Sequence, residues 1–295
     1  MEADVEALSD SLIAEIFKAL GLSETGLARR ALGPLFRKAT RRLAQIGIAF
    51  GRLCESNGFP KAAEWALTHW CTDIRSRGTE EAPANGPLLV VSNHVGTYDA
   101  LVIISHLKRD DIRIFASNIP FLMNLPRVSR YFFFLDPVDT QARMRQTRSG
   151  IRHLERGGAI LLYGSGQIDP DPAIAPDEAV RHVDRWSRSV DLFLRFVPET
   201  KVLLSVVSHA VSPGWARSPI TWLRRQPLDK RRLAEFGQVL QQLFFPGSLV
   251  LSPRLSFSPP LAGEALRAES ATGVWSVLVA REKRLMAEHL SAFGG

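Results

Sequence analysis

A histidine and an aspartate stand five positions apart in the stretch "VVSNHVGTYDA", where an apolar run ends. On one continuous helix, five residues turn through about 500°, so His94 and Asp99 would lie about 140° apart around the axis and out of contact. They can meet only if His94 lies on a turn that leaves a strand and Asp99 lies near the start of a helix. Asp99 would then accept a hydrogen bond from one ring nitrogen and leave the other free as a general base.

The residues between the pair favour such a turn. Gly96 permits a tight turn, and Thr97 can cap a helix that continues through Leu101. The alternative is an ordinary connection from strand to helix, because a helix start favours an aspartate for electrostatic reasons alone. Spacing by itself therefore leaves both interpretations open.

The surrounding sequence resembles the glycerolipid acyltransferase family, the PlsC-like acyltransferases that act on 1-acylglycerol 3-phosphate or glycerol 3-phosphate. The family signature is Asn-His, four further residues and Asp, which Asn93, His94 and Asp99 match. Three later blocks follow in the family order: "IRIFASNIPFLMNLPRVSRYFFFLDP", "GGAILLYGSGQIDP" and "VLLSVVSHAV". The resemblance covers residues 88–211 and leaves the N-terminal helices and the C-terminal third without support.

This resemblance implies transfer of an acyl group from a thioester, acyl-CoA or acyl-ACP (acyl carrier protein), to a hydroxyl of a lysophospholipid, a glycerol phosphate or another lipid-like acceptor. His94 would remove the hydroxyl proton, and Asp99 would orient the imidazole. No cofactor, metal or protein nucleophile is expected. Ser165 in "YGSGQ" lacks the glycine two residues earlier that a G-x-S-x-G nucleophile elbow needs. A non-catalytic lipid-binding or acyl-chain-binding relative and a thioesterase are the alternatives.

Two blocks depart from the family pattern. The third normally reads Phe-Pro-Glu-Gly-Thr-Arg, and residues 163–168 keep only its glycine, while Asp136 and Pro137 replace the arginine that commonly ends the second. A phosphate on the acceptor would then need other cations, and Arg127 and Arg130 are the candidates. The remaining substrate-binding candidates are Asn93, Gly96, Thr97, Gly164, Ser165 and Gly166. For the last three, a simple tight turn after a buried strand is the alternative.

Carboxylates alternate with prolines in the segment "IDPDPAIAPDE". Asp169, Asp171 and Asp177 are interpreted as an exposed loop followed by an acidic helix start, rather than as a metal site. His209 lies within the apolar fourth block and is expected to have a structural role rather than to act as a second base.

The fold class predicted from the patterning is α/β, with a mostly parallel mixed sheet flanked by helices and an N-terminal helical unit. Predicted strands cover 88–93, 112–117, 131–136, 159–164, 202–211 and 249–257. Predicted helices cover 5–20, 34–54, 61–75, 97–108, 138–156, 176–196, 229–245 and 273–293. Ligands in such sheets bind at the carboxyl ends of strands, which is where the His-Asp pair and the third block fall.

A polar segment with two prolines, residues 75–87, reads as a linker or long loop and suggests two units. These are an N-terminal helical unit, 1–80, and an α/β acyltransferase-like domain, 81–295. Seven basic residues and no acidic one fall between Thr25 and Cys54. A basic amphipathic helix of this kind can lie on an anionic membrane surface. The alternative is that its apolar stripe packs on the main domain and its arginines are solvated.

Composition limits the remaining classes. The chain has 295 residues, 45% of them hydrophobic, and a formal net charge of +7, which suits partners that carry phosphates or anionic lipid headgroups. It has no zinc-finger or aromatic RNA-binding signature, so no nucleic-acid partner is expected. Acidic residues ahead of the first apolar stretch argue against a secretory signal, and no apolar run reaches about 20 residues, so we expect neither a signal peptide nor a membrane-spanning helix. We expect a cytoplasmic protein, peripheral on the cytoplasmic membrane face if it binds lipid.

Overall fold

A mixed sheet with helices packed against it organises the part of the chain that the computed structural model describes, residues 2–20, 27–269 and 273–294. The strands are β1 Arg75–Arg77, β2 Leu88–Ser92, β3 Ile112–Ser117, β4 Phe132–Leu135, β5 Ala159–Tyr163, β6 Lys201–Ser208, β7 Arg254–Phe257 and β8 Leu261–Ala262. Their order in the sheet is β1-β7-β6-β2-β5-β3-β4, with β8 paired to β6. Neighbours are parallel except where β6 meets β7 and β8. The predicted fold class is confirmed.

Helices fill the connections and flank the sheet. They are α1 Glu2–Leu20, α2 Leu27–Ser56, α3 Phe59–Leu67, α4 Asp99–Leu107, α5 Pro120–Met123, α6 Pro126–Ser129, α7 Thr140–Glu155, α8 Pro176–His182, α9 Ser189–Phe196, α10 Pro213–Ala216, α11 Pro227–Phe244, α12 Gly263–Glu269 and α13 Trp275–Phe293. Short 3₁₀ turns cover Thr79–Glu81, Val183–Arg185 and Pro219–Leu223. None of the described helices is long and apolar enough to cross a bilayer.

Strand β2 lies at the centre of the sheet and is buried on both faces. Leu88 and Val90 belong to one hydrophobic cluster, and Leu89 and Val91 belong to the cluster on the opposite face. Such burial explains why the strand reads as a continuous apolar run rather than as an alternating one. Ser92 is in register with Tyr163 of β5 and Ser205 of β6. The chain segments that follow these parallel strands therefore meet at one edge of the sheet.

Several predicted elements differ from the observed ones. The helix predicted for 176–196 is interrupted at Trp186, because the buried indole packs on Gly164 and the Ser187 N–H donates to the Gly164 carbonyl at 2.7 Å. The helix predicted for 61–75 ends at Leu67, and the chain continues into the edge strand β1. The strand predicted to begin at 249 begins at Arg254.

The N-terminal helices pack on each other and on the rest of the chain. Ser9 and Thr40 share a buried hydrogen bond of 2.7 Å, and Arg37 pairs with Glu6 at 2.8 Å. Along α2, Ala39 and Ile46 are buried and Phe36 contacts the rings of Phe17 and Phe244, whereas Leu35 is 62% exposed. Most of the apolar stripe is thus covered by protein, as the alternative to membrane binding requires. Helix α2 begins at Leu27 rather than at the predicted residue 34, so that Pro34 lies inside it.

The division into units 1–80 and 81–295 stays a prediction. Residues 21–26 of the first unit and residues 270–272 of the second lie outside the described residues. The proposed linker is not free of structure, because β1 at 75–77 pairs with β7 in parallel.

Glu282 on α13 carries a buried carboxyl group. It is fully buried, and neither carboxylate oxygen has a hydrogen-bond partner among the described residues. Burial raises the pKa of Glu282 well above its usual value, and the negative charge of Asp169 adds to this effect. Folding therefore favours the protonated form. Its contribution to stability is fully present below the unfolded pKa of 4.5 and is lost as the pH rises towards the folded pKa.

Replacing Glu282 with Met, an apolar side chain of similar length, should increase the free energy of unfolding at pH 8 by about 1–3 kcal/mol, because no carboxyl group then needs to be desolvated. Urea denaturation at pH 8 and pH 5 measures the free energy of unfolding, and the increase over the wild type should be smaller at pH 5. Equal or lower stability of the variant at pH 8 would contradict the assignment of an unpartnered carboxyl group.

Candidate active site

His94 and Asp99 lie together just beyond the carboxyl end of the central strand β2. The distance between His94 Nδ1 and Asp99 Oδ2 is 2.9 Å. Asp99 is the first residue of α4, and His94 lies on the turn between β2 and that helix. The geometry that the spacing required, a histidine on the turn and an aspartate at the helix start, is the one observed. Whether the pair is catalytic stays a prediction.

The Asp99 carboxylate is fully buried and accepts four hydrogen bonds. Oδ2 accepts from His94 Nδ1, from the Val95 N–H at 2.7 Å and from the Gly96 N–H at 3.1 Å. Oδ1 accepts from the Tyr163 hydroxyl at 2.5 Å. The carboxylate therefore fixes the backbone of the turn as well as the imidazole, which accounts for the compact path from strand to helix.

Hydrogen bonding also fixes the roles of the two ring nitrogens of His94. A carboxylate can only accept, so Nδ1 carries the proton that it donates to Asp99. In the neutral imidazole, Nε2 is then the basic nitrogen, and no described residue makes a hydrogen bond to it. The ring stacks on Tyr163 with centroids 4.1 Å apart, and 28% of the side chain is exposed. His94 thus presents an available basic nitrogen from a fixed ring.

Asp169 makes two hydrogen bonds to the backbone of His94. The His94 N–H donates to Asp169 Oδ2 at 2.9 Å, and the Asp169 N–H donates to the His94 carbonyl at 2.5 Å. Asp169 Oδ1 lies 3.1 Å from His182 Nδ1, and His182 Nε2 lies 3.2 Å from Arg185. Because arginine can only donate, His182 Nε2 accepts and Nδ1 donates to Asp169.

The interpretation of Asp169 and Asp171 as exposed loop residues was wrong. Both side chains are buried, and Asp171 accepts the N–H groups of His209, Ala210 and Val211 at 2.9–3.1 Å. The two carboxylates tie the segment after β5 to the ends of β2 and β6. Only Asp177 behaves as expected, in the first turn of α8. The backbone N–H of His209 donates to Asp171, and burial lowers the pKa of the His209 imidazole.

Glu235 of α11 brings a second acidic group to the site. Thr97 was expected to cap a helix, but its hydroxyl donates to Glu235 Oε1 at 2.5 Å. A Cβ atom added to Gly96 would lie 3.3 Å from the same oxygen, so the glutamate lies directly over the turn. Sequence reasoning missed Glu235 because α11 lies outside the recognised motifs. Burial raises the pKa of this carboxyl group.

The electrostatics of the site stabilise the protonated form of His94. Burial by itself lowers the pKa of His94, but the charge and hydrogen bond of Asp99, with the charges of Glu235 and Asp169, outweigh burial. The net effect raises the pKa from 6.5 to about 9. The imidazolium is therefore the resting form near neutral pH, and the basic form becomes more populated as the pH rises.

Two predicted substrate-binding residues have structural roles instead. The Asn93 side chain is buried, donates to the Val207 carbonyl and accepts the Val207 N–H, both at 2.8 Å, so its amide is occupied by β6. The Gly164 N–H donates to the Ser92 carbonyl at 2.9 Å. A side chain at Gly164 would collide with Trp186, which covers this face of the backbone.

The turn after β5 is closed by its own hydrogen bonds. Ser165 Oγ donates to the Gln167 carbonyl at 2.9 Å and accepts the Gln167 N–H at 3.1 Å. Gly166 has a φ of 65°, a left-handed conformation that favours glycine. These contacts fit the tight-turn alternative for residues 164–166.

The two candidate arginines contact other parts of the molecule. Arg127 pairs with Glu55 at 2.5 Å, and Arg130 lies over the ring of Tyr131 and donates to its hydroxyl at 2.9 Å. None of their contacts with described residues involves His94 or Asp99. The structure does not bring these cations to the pair.

A cavity of about 210 Å³ lies beside the turn, on the side of Val95 and Asp169. Residues from three further segments complete its wall, and they include Ala216, Pro227, Lys230, Arg231 and Ala234. Arg231 donates to the Ile168 carbonyl and pairs with Glu178 at 3.1 Å. Lys230 is half-buried, and its ammonium makes no hydrogen bond or ion pair with a described residue. Lys230 lines the cavity together with the carboxylates of Asp169, Asp171 and Glu178.

Residues 73–187 match the family model described as Acyltransferase. This segment belongs to the acyltransferase family. It contains His94, Asp99, Tyr163 and Asp169, whereas Glu235 and Lys230 of α11 lie outside it. The prediction that the chain is an acyltransferase is confirmed at this level.

Among solved structures, this chain is similar to the crystal structure of the 1-acyl-sn-glycerophosphate (LPA) acyltransferase PlsC from Thermotoga maritima. The TM-score is 0.43 and the identity 16%, over 95% of this chain and 93% of that chain. A similarity at this level carries no conclusion about the acceptor. No curated protein matches the sequence.

The raised pKa of His94 predicts an unusual titration. In ¹H–¹⁵N spectra, the ring should titrate with a pKa of about 9, because Asp99 favours the imidazolium. Changing Asp99 to Asn should move the titration towards 6.5, the ordinary value, since the attracting charge is removed. The His94→Ala variant assigns the signal. A wild-type pKa at or below the ordinary value would contradict this electrostatic description.

Proposed function

We propose that the protein transfers an acyl group from a thioester, acyl-CoA or acyl-ACP, to a hydroxyl of a lipid-like acceptor such as a lysophospholipid or a glycerol phosphate. The observation that carries this proposal is the His94–Asp99 pair, which lies in the acyltransferase segment with Nε2 available to a substrate. No cofactor takes part.

In the proposed reaction, the neutral form of His94, which becomes more populated as the pH rises, accepts the proton of the acceptor hydroxyl at Nε2 as the oxygen attacks the thioester carbonyl carbon. Asp99 stabilises the imidazolium that forms, through the hydrogen bond to Nδ1. The tetrahedral intermediate then collapses, the carbon–sulfur bond breaks, and the thiolate takes the proton from the imidazolium. The products are the ester and the free thiol, and the base is regenerated.

The cavity beside the pair is the proposed site for an anionic part of the acceptor. The positions that commonly bind an acceptor phosphate in the family carry other residues here, and Arg127 and Arg130 bind elsewhere. Lys230 can provide a charge-assisted hydrogen bond, with Arg231 on the same wall. Arg231 lies one helical turn before Glu235 on α11, about 6 Å along the helix axis.

We further propose a cytoplasmic location, because acyl-CoA and acyl-ACP are cytoplasmic donors. A lipid-like acceptor would require the protein to bind the cytoplasmic face of a membrane at least transiently.

Changing His94 to Ala should lower acyl transfer by about 10²–10⁴-fold, because the general base is removed. Release of free thiol from palmitoyl-CoA or palmitoyl-ACP in the presence of lysophosphatidate measures the reaction, and mass spectrometry identifies the product. His106→Ala is the matched control, since the hydrogen bonds of that ring to described residues lie within α4, to Ser105 and the Val102 carbonyl.

An unchanged rate in the His94→Ala variant would contradict the assignment of the base. Release of thiol without an acylated product would favour the thioesterase alternative. Acyl-chain binding without release of thiol from either donor would favour a non-catalytic lipid-binding relative.

Changing Lys230 to Ala should raise KM for lysophosphatidate about tenfold or more, and should leave KM for a neutral monoacylglycerol nearly unchanged. Arg232→Ala is the matched control, because Arg232 lies on the same helix, pairs with Asp229 and is 59% exposed. Equal effects of the Lys230 variant on both acceptors would contradict an anion site in the cavity.

A further inference from the structure

Three large apolar side chains project from a short segment next to the cavity. Within the 3₁₀ turn Pro219–Leu223, Ile220 is 48% exposed, Trp222 is 74% exposed and Leu223 is 79% exposed. Side chains with such large exposed fractions protrude from the molecule and do not line a groove. We call residues 217–225 the Trp222 loop.

The base of the Trp222 loop is fixed on α11. Trp215 donates its indole N–H to Gln241 Oε1 at 2.6 Å, and its ring lies so close to Gly237 that a side chain there would collide with it. Thr221 is buried and donates to the Ser218 carbonyl at 2.7 Å. The apolar tip is therefore presented by an ordered support, which lowers the entropy lost when it binds.

Positive charge surrounds this tip. Between residues 213 and 232, the chain has six basic residues and one acidic residue. Arg217, Arg224 and Arg225 are exposed and belong to the Trp222 loop itself. Exposed tryptophan and leucine with flanking arginines are the composition that binds at the interface of an anionic bilayer.

The loop also adjoins the cavity beside His94. Ala216 and Pro227, which line the cavity, are the residues at the two ends of the segment that carries the loop. A surface that contacts the loop therefore lies close to the cavity.

We propose that the Trp222 loop is a membrane-docking element that inserts Trp222 and Leu223 into the interface of an anionic lipid bilayer, with its arginines on the lipid headgroups. It places the cavity near the membrane surface. This rests on the proposed function only in supposing that the acceptor is lipid-like, and docking needs no turnover. The docking surface differs from the N-terminal basic helix, whose stripe is mostly covered.

Sedimentation with vesicles tests the proposal without any acyl donor or acceptor. The wild-type protein should bind vesicles with about one third phosphatidylglycerol more tightly than vesicles of phosphatidylcholine alone. The Trp222→Ala/Leu223→Ala variant should lose about tenfold or more in partitioning, and Arg224→Gln/Arg225→Gln should lose the preference for anionic lipid.

Matched controls separate the loop from other exposed apolar residues. Phe196→Ala on α9 and Leu35→Ala on α2 remove side chains that are 57% and 62% exposed, and both should bind vesicles as the wild type does. Circular dichroism checks that each variant is folded. In a second measurement, brominated lipid should quench the tryptophan fluorescence of the wild type more than that of the Trp222→Phe variant.

Unchanged vesicle binding by the Trp222→Ala/Leu223→Ala variant would overturn the proposal. A loss of binding in Leu35→Ala alone would overturn it in favour of the N-terminal helix. Failure of the wild type to bind vesicles, together with Trp222-dependent binding of acyl carrier protein, would make the loop a protein-docking surface instead. None of these results depends on acyl transfer, so a failure here leaves the test of the His94 base unaffected.

Discussion

One buried carboxylate organises the turn that carries His94. Asp99 is removed from water, and its charge is balanced by four donors from the turn, the His94 ring and the Tyr163 hydroxyl. A buried charge that loses a partner is costly, so each donor constrains the others. The positions of the imidazole, the turn and the end of β5 are consequently set by one interaction.

Around that centre, further buried carboxylates connect segments that are distant in the chain. Asp169 binds the backbone of His94, and Asp171 binds three consecutive N–H groups after β6. Glu235 reaches the turn from α11. The acidic surroundings explain why the His94 imidazolium is favoured.

Much of the fold was readable from the sequence, because its central strands are buried on both faces and stand out as apolar runs. The turn with His94 and Asp99 was also predictable, since helical geometry allowed only one way for them to meet. What failed depended on contacts between distant segments. Asp169 and Asp171 lie among prolines, which is typical of an exposed loop, and only their partners on β2 and β6 show otherwise. The break at Trp186 depends on Gly164, and Glu235 has no local signal because its partner Thr97 is far away in the sequence.

The order of strands has a consequence for how members of such a family can diverge. The segment that matches the family ends at residue 187, yet β6 and β7 lie beyond it and stand between β1 and the central strand β2. A fragment cut at the family boundaries would expose one whole edge of β2 and separate β1 from its partner β7. The segment 73–187 that matches the family model therefore does not contain the complete sheet. Because the late part of the chain supplies both a wall of the cavity beside His94 and a neighbour of the central strand β2, substitutions there can reshape the cavity while the motif itself stays unchanged.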